Sequence, residues 1–258
     1  MRLLIACLIL CLSSLMNPVR AQQKDIVYFL DADRKPVKEK KATWLLHVVY
    51  DTVDSCWRYS YYNKIGPLIR IESYRDAEAK VRQGLFAWYN AGGQMDSSGY
   101  YYKGLPDKRW LYSDGKKAIT KSRLYDKGIL IKETDHSPQK PVAGLKDTSE
   151  LVTNPEIESA FPGGQQEWLR YLNHNFRYPD RAVNNEVKGE VRIWFIVDTA
   201  GKIIDPQVIK SVEFSLDEQS LWTMRNSPDW VPAVQNGKWV KSFKVQPMIF
   251  ELSIYNRR

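Results

Sequence analysis

The first half of the chain is a series of short apolar segments separated by turn residues. Tyr, Trp, Ile and Val dominate these segments, which are Trp44 to Tyr50, Cys56 to Tyr62, Leu68 to Tyr74, Leu85 to Tyr89 and Arg109 to Tyr112. Turns such as Gly66-Pro67 and Asp114-Gly115 lie between or after them. Because short strands with frequent glycine are typical of an antiparallel meander, we predict a mostly antiparallel β domain over residues 22–135.

The same region contains a weak repeat. Aromatic, lysine and glycine positions recur after 23 or 24 residues: Tyr89 and Gly92 as Tyr112 and Gly115, and Tyr101, Lys103 and Gly104 as Tyr125, Lys127 and Gly128. A repeat of this length indicates stacked hairpin units. With Gly84 to Tyr89, Gly99-Tyr100 and Trp110 to Tyr112, the pattern resembles the MORN-repeat variant also found in YwqK-type proteins. The resemblance implies an architecture of hairpins and leaves the function open.

Residues 136–158 lose this regularity. Pro138, Pro141, Gly144 and Pro155 interrupt a polar stretch there, which is typical of a linker. We therefore predict that residues 136–158 connect the β domain to a second domain over residues 159–258.

The last hundred residues alternate between helical and extended patterns. Leu169, Leu172 and Phe176 have helical spacing, and because Pro179 disfavours helix in the residue before it, a helix is predicted to end there. Strict alternation of apolar and polar residues from Lys188 to Asp198 predicts a strand. The segment from Lys202 to Ser211 is its expected hairpin partner.

A second helix is predicted to begin at Ser215. The sequence Ser215-Leu216-Asp217-Glu218 has the pattern of a capping box, with the acids at the positive end of the helix. Leu216, Leu221 and Met224 supply the apolar face, and Ser227-Pro228 ends the run.

The last strand, Phe243 to Ile254, changes the parity of its apolar positions at Pro247. Because proline cannot donate to a ladder and is confined to edges and bulges, we predict a bulged final strand with one side open to pairing. Exposed edges are where extended peptides add themselves as an extra strand.

Several motifs of residues 159–258 occur in a recognisable order. They are Phe161-Pro162-Gly163-Gly164, Tyr178-Pro179, Gly189-Glu190-Val191, Phe195-Ile196-Val197-Asp198 with Gly201, Leu216-Asp217-Glu218, Trp230-Val231-Pro232-Ala233, Asn236-Gly237-Lys238 and Pro247-Met248-Ile249-Phe250. This order resembles that of TonB C-terminal domains. The resemblance implies a two-layer α+β domain, which in the energy transducer binds the TonB box of outer-membrane transporters by strand addition.

The resemblance also implies residues that contact a partner. In that family the segment before and through Tyr-Pro touches the partner, and here it corresponds to Asn175, Phe176, Arg177, Tyr178 and Pro179. The same positions are equally consistent with a helix terminator that packs on the sheet. On the final strand, the predicted partner-binding residues are Phe243, Val245, Pro247 and Ile249.

The N-terminus has the pattern of a secretory signal peptide. Arg2 precedes an apolar run from Leu3 to Leu15, and the small-residue site Val19-Arg20-Ala21 follows. A permanent anchor is the first alternative, but a helix of this length rises only about 20 Å against a hydrocarbon core of about 30 Å. A lipoprotein attached at Cys7 is the second, but almost no apolar run precedes that cysteine. We therefore expect cleavage after Ala21, no transmembrane span in the mature chain, and a periplasmic location.

Charge and the chemistry-bearing side chains narrow the function. The formal net charge of +8 comes from interleaved charges of both signs, so no nucleic-acid-binding stripe is predicted. Cys56 is the only cysteine left after the signal peptide, and we expect it to be buried and inert. His47, His136 and His174 lie in different segments, so no metal site is predicted.

No motif for catalysis or cofactor binding occurs in the sequence. A nucleophile elbow, a phosphate-binding loop and a dinucleotide fingerprint are all missing, and no cofactor is predicted. Asp217 and Glu218 would point about 100° apart on a helix, so capping explains them better than catalysis does.

We therefore predict a binding protein rather than an enzyme. In the TonB family, an energy transducer has an uncleaved membrane helix followed by a long Pro-rich spacer. This sequence shows neither. The leading hypothesis is a periplasmic adaptor for an envelope protein, such as a TonB-dependent outer-membrane transporter. The alternative is a peptidoglycan- or glycan-binding protein that uses the aromatic residues of the β domain, for example Trp88 and Trp110.

Overall fold

The computed structural model describes residues 25–76, 78–115, 119–136, 151–152 and 155–252. The signal peptide predicted over residues 1–21 lies outside them. Within the described ranges, no helix is long and apolar enough to cross a membrane. The chain divides into two units, Met1–Ser137 and Pro138–Arg258.

The N-terminal unit is a nine-stranded sheet in which each strand pairs antiparallel with the next in sequence. Its strands are β1 (Asp25–Leu30), β2 (Trp44–Asp51), β3 (Cys56–Asn63), β4 (Leu68–Tyr74), β5 (Gly84–Tyr89), β6 (Met95–Tyr102), β7 (Leu105–Ser113), β8 (Ile119–Asp126) and β9 (Ile129–Asp135). A short 3-10 turn, Glu39–Lys41, lies between β1 and β2. The predicted antiparallel β architecture is confirmed, whereas the resemblance to MORN repeats stays a prediction.

Aromatic side chains form much of the core on one face of this sheet. Tyr74 meets Phe86 edge to face with ring centroids 5.5 Å apart, and Phe86 meets Tyr101 at 4.9 Å. Trp110 is buried against Tyr101 and donates its indole N–H to the carbonyl of Tyr100 at 3.1 Å. Edge-to-face pairs add about 0.5–1.5 kcal/mol each beyond the area that they bury. Trp88 and Trp110, the residues named for glycan binding, are therefore packed within the aromatic cluster of the sheet.

In its described residues, the C-terminal unit combines a mixed sheet with three helices. The strands are β10 (Leu151–Val152), β11 (Gly189–Val197), β12 (Ile203–Lys210), β13 (Ala233–Gln235) and β14 (Lys238–Phe250), and the helices are α1 (Gly164–Asn175), α2 (Asp180–Asn184) and α3 (Phe214–Arg225). The strand order is β10-β14-β11-β12, with β13 paired to the start of β14. The predicted α+β architecture is confirmed.

One face of β11 forms the centre of the core. Val191, Ile193, Phe195 and Val197 are fully buried there, as the alternation of the sequence predicts. Helix α3 covers them with side chains that include Leu216, and helix α1 contributes Trp168 to the same cluster. Helices on this face of the sheet give the domain its two layers.

The start of α3 differs from the predicted capping box. Glu213 is the N-cap, and its carboxylate accepts the backbone N–H of Ser215 at 2.7 Å. Asp217 is instead fully buried, where it accepts hydrogen bonds from the Ser211 hydroxyl (2.5 Å) and the Val212 backbone N–H (3.1 Å). Burial raises the pKa of Asp217 well above its ordinary value. The helix therefore begins as expected, but a different carboxylate caps it.

The predicted bulge at Pro247 is wrong. The register between β11 and β14 runs without a shift from Gly189 opposite Phe250 to Val197 opposite Ser242. The irregularities of this sheet lie instead between β11 and β12. The parity appeared to change because β14 carries apolar side chains on both faces, and Val245 and Ile249 lie on the more exposed one.

Part of the predicted linker pairs with the C-terminal sheet. Strand β10 runs parallel to β14 beside Lys241 and Ser242. Farther along, Ile157 forms an antiparallel bridge with Val234, and so does Ala160 with Val231. Within residues 136–158, the described positions from 151 onward are therefore attached to the C-terminal unit.

Candidate functional site

Strand β14 has an open side. One side pairs with β11 along Ser242–Phe250. On the other side, β10 covers only Lys241 and Ser242, and no strand among the described residues pairs beyond them. Residues 244–250 of β14 therefore form an edge, which we call the β14 edge.

The backbone groups that face the β14 edge follow from the ladder. Asp198 donates its N–H to the carbonyl of Lys202, so even-numbered residues of β11 bond towards β12 and odd-numbered ones towards β14. Pro247 lies opposite Arg192, and its missing N–H therefore costs no bond to β11. The side-chain amide of Gln246 donates to the Pro247 carbonyl at 3.0 Å, which agrees with a carbonyl directed away from β11.

Odd-numbered residues of β11 lie opposite even-numbered residues of β14, so the even-numbered residues of β14 bond to β11 and the odd-numbered ones face away from it. The N–H groups of Val245 and Ile249 therefore face the β14 edge. These two donors are four residues apart, which corresponds to about 13 Å along a strand. Pro247 stands between them and supplies only its carbonyl oxygen. The edge thus offers two donors separated by a position that cannot donate.

A groove lies between helix α1 and the end of β14. Its volume is about 480 Å³, and strand residues 246–251 form one wall. The helix wall consists of residues spaced three or four apart, so that they share one face: Gln165, Trp168, Leu169, Leu172, Asn173 and Phe176. The exposed fractions of Leu169 (51%) and Ile249 (59%) are high for apolar side chains. We call this feature the α1–β14 groove.

Aromatic packing holds the helix wall in position. Phe161 contacts Trp168 with ring centroids 5.2 Å apart, and Phe176 contacts Phe250 of the strand at 4.5 Å. The turn before the helix needs Gly163 and Gly164 because both have positive φ, 77° and 76°. The Phe-Pro-Gly-Gly sequence therefore sets where α1 starts beside β14.

The five predicted residues around Tyr-Pro occupy different environments. Phe176 and Tyr178 line the groove and also pack on the core, and the Tyr178 hydroxyl donates to the Val187 carbonyl at 2.6 Å. Asn175 donates from its side chain to the Tyr171 carbonyl at 2.9 Å. Arg177 is exposed, and Pro179 precedes α2. This segment therefore both ends helix α1 and contributes side chains to the groove.

The four predicted residues of β14 also separate into groups. Pro247 and Ile249 line the groove. Val245 belongs to the β14 edge outside the groove. Phe243 lies closer to β10 and stacks on Trp194 with ring centroids 6.3 Å apart. The structure thus brings Phe176, Tyr178, Pro247 and Ile249 together around one groove.

Sequence reasoning missed most of the helix wall. Leu169 and Leu172 were recognised as the apolar face of a helix, but not as part of a binding surface. Gln165 and Asn173 carried no signal at all. The available signal was the length of the apolar stripe of α1, which begins near the Gly-Gly turn and continues to Phe176. The core covers only part of this stripe.

Cysteine and metal-ligating side chains are the other candidates for chemistry among the described residues. Burial raises the pKa of the Cys56 thiol to about 12, so this cysteine stays protonated and unreactive. Across the described residues, no group of three or more His, Cys, Asp or Glu side chains could hold a metal ion. The α1–β14 groove itself is lined mainly by apolar side chains with a few amides, which suits binding of an extended peptide.

Comparison with known protein families gives a match within the C-terminal unit. Residues 174–252 match the family of Gram-negative bacterial TonB protein C-terminal domains. The chain is also similar to the NMR solution structure of the Helicobacter pylori TonB C-terminal domain, residues 179–285 of that protein. There the identity is 21%, the match covers 35% of this chain and 87% of that chain, and the TM-score is 0.24. A comparison with curated proteins found no match.

The family match contains the β14 edge but only the last two residues of α1. Of the residues in the helix wall, only Phe176 lies within the matched range. Residues 174–252 are therefore similar to the C-terminal region of Gram-negative bacterial TonB proteins.

Proposed function

We propose that the C-terminal unit binds an extended peptide of an envelope protein, which pairs with the β14 edge as an additional strand. The observation that carries this proposal is the open edge of residues 244–250 beside an apolar groove. Main-chain hydrogen bonds to the edge supply affinity, and a pocket for alternate side chains supplies specificity. The role is one of binding rather than catalysis.

The geometry of the edge restricts the peptide. Val245 and Ile249 each present a donor, so the peptide needs two carbonyl oxygens about 13 Å apart. Opposite Pro247 the peptide carbonyl has no donor, and water or a side chain has to satisfy it. The peptide side chains that point towards α1 enter the groove, where Leu169 and Leu172 favour apolar residues.

The proposed partner is a protein with an extended, accessible segment in the periplasm. A TonB-dependent outer-membrane transporter has this property according to the family resemblance. The proposal includes export of the chain through the signal peptide predicted over residues 1–21. In this view the protein is an adaptor on the periplasmic side of the envelope.

A direct test measures binding of synthetic peptides from the periplasmic segments of such transporters by fluorescence anisotropy. Leu169→Glu should weaken binding about 10-fold or more, because it brings a charge into the groove. Leu169 is half exposed, so this substitution should leave folding intact. The matched control is Gln166→Glu, which adds the same negative charge at an exposed position of α1 outside the groove.

A second pair of variants tests the backbone contribution. Val245→Pro removes one donor of the β14 edge, and Val245→Thr keeps it while changing the side chain. We expect at least about 10-fold weaker binding for the proline variant only. If all four variants bind the peptide as tightly as the unmodified chain does, the proposed mode of binding is wrong.

A further inference from the structure

A second cavity lies at one end of the N-terminal sheet. In a meander, every second turn is at the same end, so the connections β2–β3, β4–β5, β6–β7 and β8–β9 come together there. They surround a cavity of about 610 Å³. Its basic lining residues are Arg75, Lys103, Lys108 and Lys127. We call it the turn cavity.

The turn cavity is positively charged. Among the described residues of its lining, four side chains are basic and two, Asp54 and Asp107, are acidic. Asp54 forms an ion pair with Lys108, in which the Lys108 Nζ lies 2.8 Å from the Asp54 Oδ1. Within the described part of the chain, Arg75, Lys103 and Lys127 form no ion pair. The four positive and two negative side chains leave a net charge of +2 around the cavity, and such a concave surface attracts anions.

The two turn lysines are in a conformation that lysine rarely adopts. Lys103 and Lys127 have φ of 49° and 44°, and each is followed by a glycine with positive φ. Two-residue turns of this kind favour Asn, Asp or Gly at the first position. Lysine there costs about 1–2 kcal/mol. Because the turn itself does not require lysine, its presence in both turns indicates a role for the charge.

Equivalent hydrogen bonds hold both turns in the same geometry. Each turn lysine donates its backbone N–H to a side chain twenty residues earlier, and each following glycine donates to a carbonyl twenty-two residues earlier. The pairs are Lys103 with Gln83, Lys127 with Asp107, Gly104 with Arg82 and Gly128 with Pro106, at 3.0, 3.0, 2.9 and 2.6 Å. Since the two turns are separated by two strand spacings, the lysine backbones lie about 10 Å apart.

From this geometry we propose that the turn cavity binds a saccharide that carries two phosphate groups. Two lysines whose backbones lie about 10 Å apart, with Arg75 in the same lining, suit two separated anions. A cavity of 610 Å³ is in the range of sites for small organic ligands and is far larger than one phosphate needs. Tyr102, with 36% of its surface exposed, adds an aromatic ring to the lining, and the Lys103 Nζ lies 5.2 Å from the centroid of that ring. The proposal is independent of the peptide-binding function of the C-terminal unit.

The test uses the purified protein and soluble probes in isothermal titration calorimetry. The probes are fructose 1,6-bisphosphate, glucose 6-phosphate and inorganic pyrophosphate. We expect the bisphosphate to bind at least about 10-fold more tightly than the other two. The double variant Lys103→Asn/Lys127→Asn should lose that binding. Because asparagine favours these turns, the variant should unfold at the same temperature as the unmodified protein or higher.

The matched control is Lys40→Asn/Lys41→Asn, which removes the same charge at the opposite end of the sheet. It should keep the affinity for the bisphosphate. Equal loss in both double variants would mean non-specific attraction, and equal binding of pyrophosphate would exclude a contribution from the sugar. A parallel sedimentation with phosphatidylglycerol vesicles identifies the source of the phosphate. Lysine-dependent binding to vesicles without binding to the sugar bisphosphate would overturn the proposal in favour of a membrane surface.

Discussion

At the scale of single residues, Gly99 is a position where the packing leaves no space for a side chain. A Cβ atom built on Gly99 would lie 2.1 Å from the indole ring of Trp110. The indole cannot move away easily, because it is buried and hydrogen-bonded to Tyr100. We therefore predict that Gly99→Ala destabilises the protein by about 2 kcal/mol or more. Urea unfolding measures this loss.

The control for this prediction is Gly92→Ala in the same sheet. A Cβ on Gly92 would have only one neighbour, the Asn90 Oδ1 at 3.4 Å. Its cost should therefore be small. Equal losses for the two variants would show that overlap with Trp110 is not the cause.

Asp217 gives a prediction about pH. It is fully buried, and burial raises its pKa above the ordinary value of 3.8, with Glu213 and Glu218 adding to the increase. An acid with a raised pKa in the folded state contributes stability below its unfolded pKa and loses it as the pH rises through the folded pKa. From pH 4 upward, the unmodified protein should therefore lose stability relative to Asp217→Asn, by up to about 1.4 kcal/mol per pH unit.

The asparagine variant isolates this effect because it resembles the protonated acid. Its amide oxygen can accept from the Val212 N–H, and its amide nitrogen can donate to the Ser211 hydroxyl. Urea unfolding between pH 4 and 8 measures the difference between the two proteins. A difference that stays constant over this range would contradict a raised pKa.

Asp217 also illustrates where residue-level prediction from sequence stops. The pattern Ser-x-x-Glu correctly indicates that a helix starts near Ser215. It does not indicate which nearby carboxylate caps the helix, because Glu213 and Asp217 are both within reach of the first turn. The choice depends on the ion pair of Arg181 with Glu213 at 2.6 Å, a contact between residues 32 positions apart.

At the scale of elements, hydrophobic periodicity predicted most helices and strands. Strand β11 was found because its two faces differ, with fully buried side chains from Val191 to Val197 on one of them. Strand β14 was misjudged because it lies at an edge and bears apolar residues on both faces. The alternation of apolar and polar residues cannot identify the buried face of a strand where exposed positions such as Val245 and Ile249 are also apolar.

The ladder of β14 leads to a prediction about proline substitutions. Lys244 lies opposite the fully buried Phe195, and its N–H bonds to β11, whereas the N–H of Val245 faces the β14 edge. Lys244→Pro should therefore cost at least about 2 kcal/mol, since it leaves a buried carbonyl without a donor. Val245→Pro should cost much less. Thermal unfolding of the two variants measures the difference.

Lys244→Ala is the control, because Lys244 also forms an ion pair with Glu158 at 3.4 Å. Its loss measures the side-chain contribution alone. If Val245→Pro proved as destabilising as Lys244→Pro, the assignment of the Val245 N–H to the β14 edge would be wrong.

At the scale of the whole molecule, both candidate sites join elements that are distant in sequence. The α1–β14 groove combines residues from 165 to 178 with residues 246–251. Leu169 was expected on the apolar face of a helix, and only the tertiary structure leaves it half exposed beside β14. The turn cavity combines four connections that a sequence pattern cannot bring together without the strand order.

The division into two units leads to the last prediction. Each unit has its own core, one centred on aromatic residues such as Phe86 and the other on β11. Units with separate cores can unfold separately, so we expect two thermal transitions. Gly99→Ala should lower the temperature of only one of them. Ile193→Val, which shortens a fully buried side chain by one methylene group, should lower the other by about 4–8 °C for a loss near 1 kcal/mol.

Differential scanning calorimetry of the two variants and the unmodified protein tests this independence. If the units fold separately, the transition that Gly99→Ala lowers should stay in place in Ile193→Val, and the reverse should hold for the other transition. A single transition lowered by both substitutions would mean that the two units unfold as one. In that case a peptide bound at the β14 edge would stabilise the N-terminal sheet too, because a ligand that binds only the folded state stabilises the entire cooperative unit. Two separate transitions would instead confine the stabilisation by the peptide to the C-terminal unit.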